Sequence, residues 1–114
     1  MLGTTFGGNH LACSASLAVL EIIKKDKLQH HAKSMETYFR AKAEKIKGIK
    51  IKGRGLMLGL AFDFEVGPLR KSLIYEKNIF TGGSSNKNVL RILPPLTVQK
   101  KHFDRFFEAL EDLL

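Results

Sequence analysis

A chain of 114 residues with a formal net charge of +8, 44% hydrophobic and 26% charged residues has material for one domain with a modest core, and not for two. It contains no run of about 18 apolar residues, which excludes a helical membrane span, and residues 1–20 have no basic leader followed by an apolar stretch, so a secretory signal is not supported. The single cysteine, Cys13, excludes an internal disulfide and fits a reducing, cytoplasmic compartment.

The first feature in chain order is Gly3-Thr4-Thr5-Phe6-Gly7-Gly8-Asn9, two adjacent hydroxyls among glycines just ahead of a stretch of small residues. Such a loop exposes backbone N–H groups and threonine hydroxyls, and the N-terminus of the helix that follows favours an anion. Taken alone, it is equally a plain glycine-rich loop capped by Asn9. Residues 9–25 are predicted as the first helix, with Leu11, Ala15, Ala18, Val19 and Ile22 at intervals of three and four. Cys13, between Ala12 and Ser14, reads as a small core residue with no charged neighbour to activate it. Asp26 is expected to cap a second helix, with Gln29 three residues on in a capping-box arrangement. Leu28, Ala32, Met35, Phe39, Ala43 and Ile46 form one face of that helix, and Gly48 is expected to end it. The two helices form a pair or one long bent helix.

Much of the positive charge lies between Lys24 and Arg54, where Asp26, Glu36 and Glu44 are the only acids. A nucleic-acid surface would interleave such a stripe with stacking aromatics, and here only Tyr38 and Phe39 are present, side by side at helical spacing from core positions. The stripe therefore reads as a solvated helix face, or as a face turned towards an acidic remainder of a larger protein.

After Gly48 the period changes from 3.6 to 2. Ile49-Lys50-Ile51-Lys52 is predicted as a half-exposed strand, Gly53-Arg54-Gly55 as a turn, and Leu56–Phe62 as a nearly continuous apolar, central strand. A short helix is expected from about Gly67 to Glu76, with Pro68 in its first turn. Ile79-Phe80 reads as a short strand before the flexible Gly82-Gly83-Ser84-Ser85 loop, and Asn88–Ile92 as another, ended by Pro94-Pro95. The last helix starts after Thr97, with Phe103, Phe106, Phe107, Leu110, Leu113 and Leu114 on one stripe. Helices first, then strands and helices mixed, predict an α+β domain with a small, mostly antiparallel sheet covered by helices on one face.

Three segments carry a resemblance: Gly3–Asn9 with Leu11-Ala12, Gly53-Arg54-Gly55-Leu56-Met57-Leu58-Gly59, and Asn88-Val89-Leu90-Arg91-Ile92-Leu93-Pro94-Pro95-Leu96. In this order and at this spacing they resemble the class-III pyridoxal-phosphate aminotransferases, the acetylornithine and succinylornithine group above all, in the part downstream of the cofactor lysine. The resemblance implies that residues 1–25 end the large domain and begin an interdomain helix, and that residues 26–114 form the small C-terminal α+β domain. It implies that Thr5, with Thr4 as a second donor, holds the phosphate of pyridoxal phosphate belonging to the adjacent subunit, so that the site is completed in a homodimer. It implies that Arg91 binds a substrate carboxylate. One departure is visible, since the family usually has proline where this chain has His10. His10 is expected to be a tolerated first-turn residue, and His30, His31 and His102 lack the spacing of a metal-ligand set.

No catalytic residue is assigned within the chain, because none of its lysines lies in a buried strand-end context and the Schiff-base lysine is expected upstream of Met1. The parent reaction implied is amino transfer from N-acetylornithine to 2-oxoglutarate, in arginine biosynthesis, with the isolated chain inactive. Alternatives are a class-III aminotransferase acting on ornithine, 4-aminobutyrate or a semialdehyde, a stand-alone interaction module, or a basic nucleic-acid-binding domain.

Overall fold

The computed structural model describes residues 3–114. Asn9 starts the first helix, α1 (His10–Lys25), as its sequence suggests: the side-chain oxygen accepts the Ala12 N–H at 2.9 Å and the side-chain amide donates to the Phe6 carbonyl at 2.6 Å. The helix stops at Asp26, and Lys27 takes a left-handed conformation (φ 51°) that turns the chain into α2 (Leu28–Ala43). The helices are therefore a broken pair. The expected Asp26 cap is corrected: Asp26 is the C-cap of α1, and α2 begins at Lys27 with no side-chain cap. The second helix also ends earlier than Gly48 would set, because Lys45 and Ile46 tighten into i→i−3 hydrogen bonds beyond Ala43.

Strand β1 (Lys50–Arg54) pairs antiparallel with β2 (Met57–Ala61), which pairs antiparallel with β3 (Val89–Ile92), so β2 is central. The predicted Gly53–Gly55 turn shifts by two residues. Gly53 and Arg54 are still paired, and Gly55-Leu56 alone make the two-residue turn. Gly53 is required where it stands, since its φ is +94° and a Cβ there would lie 2.0 Å from the Met57 carbonyl oxygen. Between β2 and β3 comes α3 (Gly67–Tyr75), with Pro68 in its first turn, and after β3 comes α4 (Lys100–Leu113). The predicted Ile79-Phe80 strand does not form. The chain touches the β3 edge two residues later, in an isolated bridge between Gly82 and Arg91, and Phe80 is left 82% exposed.

Register explains the core. Ile51, Leu60 and Leu90 form one row across the sheet and Gly53, Leu58 and Ile92 the next, all on one face. That face meets α2 and α4, whose Met35, Phe39, Phe103, Phe106, Phe107 and Leu110 complete the buried cluster, with Leu69 and Leu73 of α3. The opposite face carries Lys50, Lys52, Arg54, Met57 and Arg91, all exposed. Part of the basic stripe thus lies on a strand. Its remainder is mostly solvated along the helices, while Arg40 and Lys42 pair with Glu36 and Asp104.

Polar contacts fix the layers. Glu36 of α2 accepts the Gly55 N–H at 2.7 Å and the Arg40 Nε–H at 2.9 Å, while Arg40 donates to the Gly53 carbonyl at 2.6 Å, so α2 grips the hairpin turn. The Gly55 N–H, and Arg40 after it, hold the Glu36 carboxyl below its usual range. A depressed native value means the grip stabilises the fold above the ordinary carboxylate value and is lost as pH falls through the native one. Glu36→Gln is expected to cost about 1 kcal/mol at pH 7. The difference from the unsubstituted chain should shrink below about pH 4.5, measured as paired urea-unfolding curves at neutral and acid pH. Tyr38 and Lys42 of α2 both donate to Asp104 of α4, at 2.5 and 2.8 Å. Lys42, followed by Tyr38, lowers the Asp104 carboxyl, and Asp104 in turn raises the Tyr38 hydroxyl and the Lys42 ammonium.

The first helix stands apart from this body. None of its residues is buried, and Leu11, Leu17 and Leu20 are 82%, 61% and 62% exposed. The radius of gyration is accordingly 17.0 Å, against about 13 Å for a compact domain of this length. Cys13 is corrected with it: the thiol is exposed, because the helix face that carries it meets no other layer among the described residues.

Candidate functional site

The two parts of the site implied by the sequence sit on different supports. Thr4 and Thr5 lie in the exposed loop just ahead of α1, at the end of that helix remote from its junction with α2. Neither hydroxyl is engaged in a hydrogen bond among the described residues, and the Thr4 methyl folds back over Gly7. Neutral hydroxyl and backbone N–H donors ahead of a capped helix are the donor set a phosphate requires, with no charged side chain to reorganise. The loop therefore fits the phosphate end of pyridoxal phosphate.

Arg91 sits on β3, on the sheet face turned away from the core, in a row with Gly59 and Lys52. No carboxylate pairs with its guanidinium among the described residues, although four other ion pairs form. Its backbone is held from both sides. It pairs with Gly59 of β2 within the sheet, and across the sheet edge its N–H donates to the Gly82 carbonyl at 2.9 Å and its carbonyl accepts the Gly82 N–H at 2.8 Å. Beyond it, Pro94-Pro95 lead into a turn at Leu96-Thr97 that ends at Val98, which is buried, and His31 of α2 makes a 2.6 Å hydrogen bond to the Val98 carbonyl. A planar cation on so stiff a support is suited to bidentate recognition of a carboxylate. A cavity of about 440 Å³ has Arg91 in its lining, together with Ile79, Thr81, Gly82, Pro94 and Phe103 among others.

The structure does not bring the two parts together: α1 meets α2 without burying any of its residues, whereas Arg91 lies on the outer face of the sheet. Of the histidines, His10 is the exposed first residue of α1, as expected, and His31 and His102 are used internally. His102 Nδ1 accepts the Gln99 N–H in a capping box at the start of α4. No lysine is buried among the described residues. Sequence reasoning missed Gly82 and His31. The adjacent glycines at 82 and 83 read as flexibility, and nothing in their spacing says that one of them will lie under Arg91.

A family model for class-III aminotransferases matches residues 1–114. The acetylornithine aminotransferase of Aquifex aeolicus is 42% identical over 113 residues, which are 98% of this chain and 29% of that protein. The ornithine aminotransferase of an Exiguobacterium species is 33% identical over 115 residues, 98% of this chain and 28% of that protein. Among solved structures, the acetylornithine aminotransferase of Elizabethkingia anophelis superposes with a TM-score of 0.79 at 25% identity, covering 99% of this chain and 30% of that one. The chain spans less than a third of the length of these relatives.

Proposed function

Since this chain belongs to the class-III aminotransferases, we propose that it is the C-terminal part of a pyridoxal-phosphate enzyme that transfers the amino group of N-acetylornithine to 2-oxoglutarate, a step of arginine biosynthesis. The observation that carries this reading is the 42% identity to an acetylornithine aminotransferase over 98% of the chain. Residues 1–25 would close the large domain and enter the interdomain helix, and residues 26–114 would be the small domain. The bare apolar side of α1 fits that division, because a large domain would cover it.

Pyridoxal phosphate, when bound, supplies the electron sink for moving an amino group between substrates. The residues of this chain have narrower tasks. Thr5 would donate its hydroxyl and N–H to the phosphate, with Thr4 as second donor, and in this family that phosphate belongs to the partner subunit, so the enzyme works as a homodimer. Arg91 would take a substrate carboxylate in its fork and set the orientation of the reacting carbon. The Schiff-base lysine lies upstream in this reading. A cytoplasmic location follows from the same reading.

The isolated chain is expected to be inactive and to give no stoichiometric absorption band when mixed with pyridoxal phosphate. A stoichiometric band abolished by replacing one lysine would overturn the assignment. The ornithine aminotransferase relative supports a second substrate reading. Rates of the full-length enzyme with N-acetylornithine and with ornithine decide between the two.

A further inference from the structure

Two arginines bracket the loop at Thr81-Gly82-Gly83, and each lies against one of its glycines. A Cβ on Gly82 would sit 2.6 Å from Arg91 Nε, 3.1 Å from its Nη2 and 3.2 Å from its Cβ. A Cβ on Gly83 would instead sit 3.0 Å from Nη1 of Arg70, the α3 residue whose Nη2 donates to the Thr81 carbonyl at 3.3 Å. Neither glycine has the positive φ that would by itself favour glycine. What both positions need is space.

The space at residue 82 is occupied by a guanidinium. Because Gly82 and Arg91 are bridged partners, their side chains leave the backbone on the same face, and the missing one at 82 leaves a shelf on which the other lies. Arg70 holds the loop from the α3 side, so the shelf is fixed on a helix of the body and does not depend on the loop alone. Arg91 thus reaches the solvent with its Nε edge against backbone, and its long side chain is confined without any acidic partner.

We propose that Gly82 is a positioning residue for carboxylate recognition by Arg91: by lacking a side chain it lets the guanidinium lie against the loop backbone in the orientation that receives the substrate. The proposal rests on the carboxylate-binding reading of Arg91 given above. A methyl group at 82 is expected to leave the domain folded, since its closest clash is with Nε of an exposed side chain, and the Arg91 Cβ at 3.2 Å need give by only a few tenths of an ångström. It would turn the guanidinium away from its resting place. Confinement of this kind lowers the ordering cost of forming a bidentate contact, and its removal shows as weaker binding.

The test uses the full-length enzyme that carries this segment, with 2-oxoglutarate as the varied substrate. Gly82→Ala is expected to raise KM about tenfold with little change in kcat, as a loss of ground-state and transition-state binding alike. Gly83→Ala, which meets the anchoring Arg70 and not Arg91 itself, should raise KM by less than Gly82→Ala does. In an Arg91→Ala background, Gly82→Ala should have no further effect, because a positioning residue has nothing left to position. An additive effect in that background, or an equal rise in KM from Gly83→Ala, would overturn the proposal in favour of a general disturbance of the loop. So would an unchanged KM for Gly82→Ala where Arg91→Ala raises it. If Arg91→Ala itself leaves KM unchanged, the carboxylate reading fails instead. A crystal structure of the Gly82→Ala chain then judges the geometric half alone: the guanidinium displaced from the loop supports it, and one still resting on residue 82 overturns it.

Discussion

Phe39→Ala is expected to destabilise the domain by about 3–5 kcal/mol, the usual cost of removing a fully buried aromatic ring from a packed core. Phe39 is 0% exposed and faces Phe103, Phe106 and Phe107 with ring centroids 5.1, 6.2 and 5.0 Å away. One side chain of α2 therefore joins three of α4, and its loss opens a cavity that the flanking helices cannot close without moving off the sheet. Edge and tilted ring contacts add to the area term. Against total stabilities of about 5–15 kcal/mol, such a loss leaves a marginal or unfolded domain. Phe80→Ala is the control: the ring is 82% exposed, so its removal should change stability by no more than about 0.5 kcal/mol. Urea unfolding followed by circular dichroism reads both. Equal effects from the two substitutions would mean that the α2–α4 seam is not the centre of the fold.

Arg91→Ala is expected to leave the fold intact and to cripple substrate binding in the full-length enzyme. Its side chain has no hydrogen-bonding or ion-pair partner among the described residues and faces away from the core, so nothing buried is lost with it. Truncating one member of a hydrogen-bonded charge pair costs about 2–5 kcal/mol, which corresponds to a rise of roughly 30-fold or more in KM for the carboxylate substrate. Arg91→Lys should recover little of it, because an ammonium offers a point charge where the fork offers two parallel donors. Steady-state kinetics with thermal melting separates the two aspects. A KM within twofold of the unsubstituted enzyme would remove Arg91 from the site.

Much of this protein was legible from residue spacing. The stripe of α4 repeats so regularly that Phe103, Phe106, Phe107 and Leu110 could be assigned to the core in advance, and all four are buried, whereas Leu114 at the end of the same stripe is exposed. The nearly continuous apolar run Leu56–Phe62 likewise marked a central strand, and Leu58 and Leu60 within it are buried. The Asn9 cap formed as expected: its donor lies three residues away in the same chain. Where the sequence misled, a distant group had won a local competition. Asp26 could have capped α2, yet the left-handed Lys27 breaks the chain one residue later. Ile79-Phe80 has strand-like residues, yet Gly82 takes the place beside Arg91, and a backbone pair can be chosen only once β3 is in position. Cys13 follows the helix rule for a core residue and is exposed, since burial needs a second surface and spacing cannot supply one.

Gly82 marks the boundary between the two kinds of information. The sequence by itself determined the helices, the alternating strands, the aromatic stripe and the three segments that place the chain among class-III aminotransferases, all from contacts between residues near one another in the chain. Tertiary structure alone decided that β3 would lie beside β2, that its free edge would meet residue 82, and that the empty side-chain position there would be occupied by Arg91. The reason is physical. Local rules follow from backbone geometry over a few residues, whereas the space at Gly82 is set by a side chain nine positions away whose direction depends on sheet register.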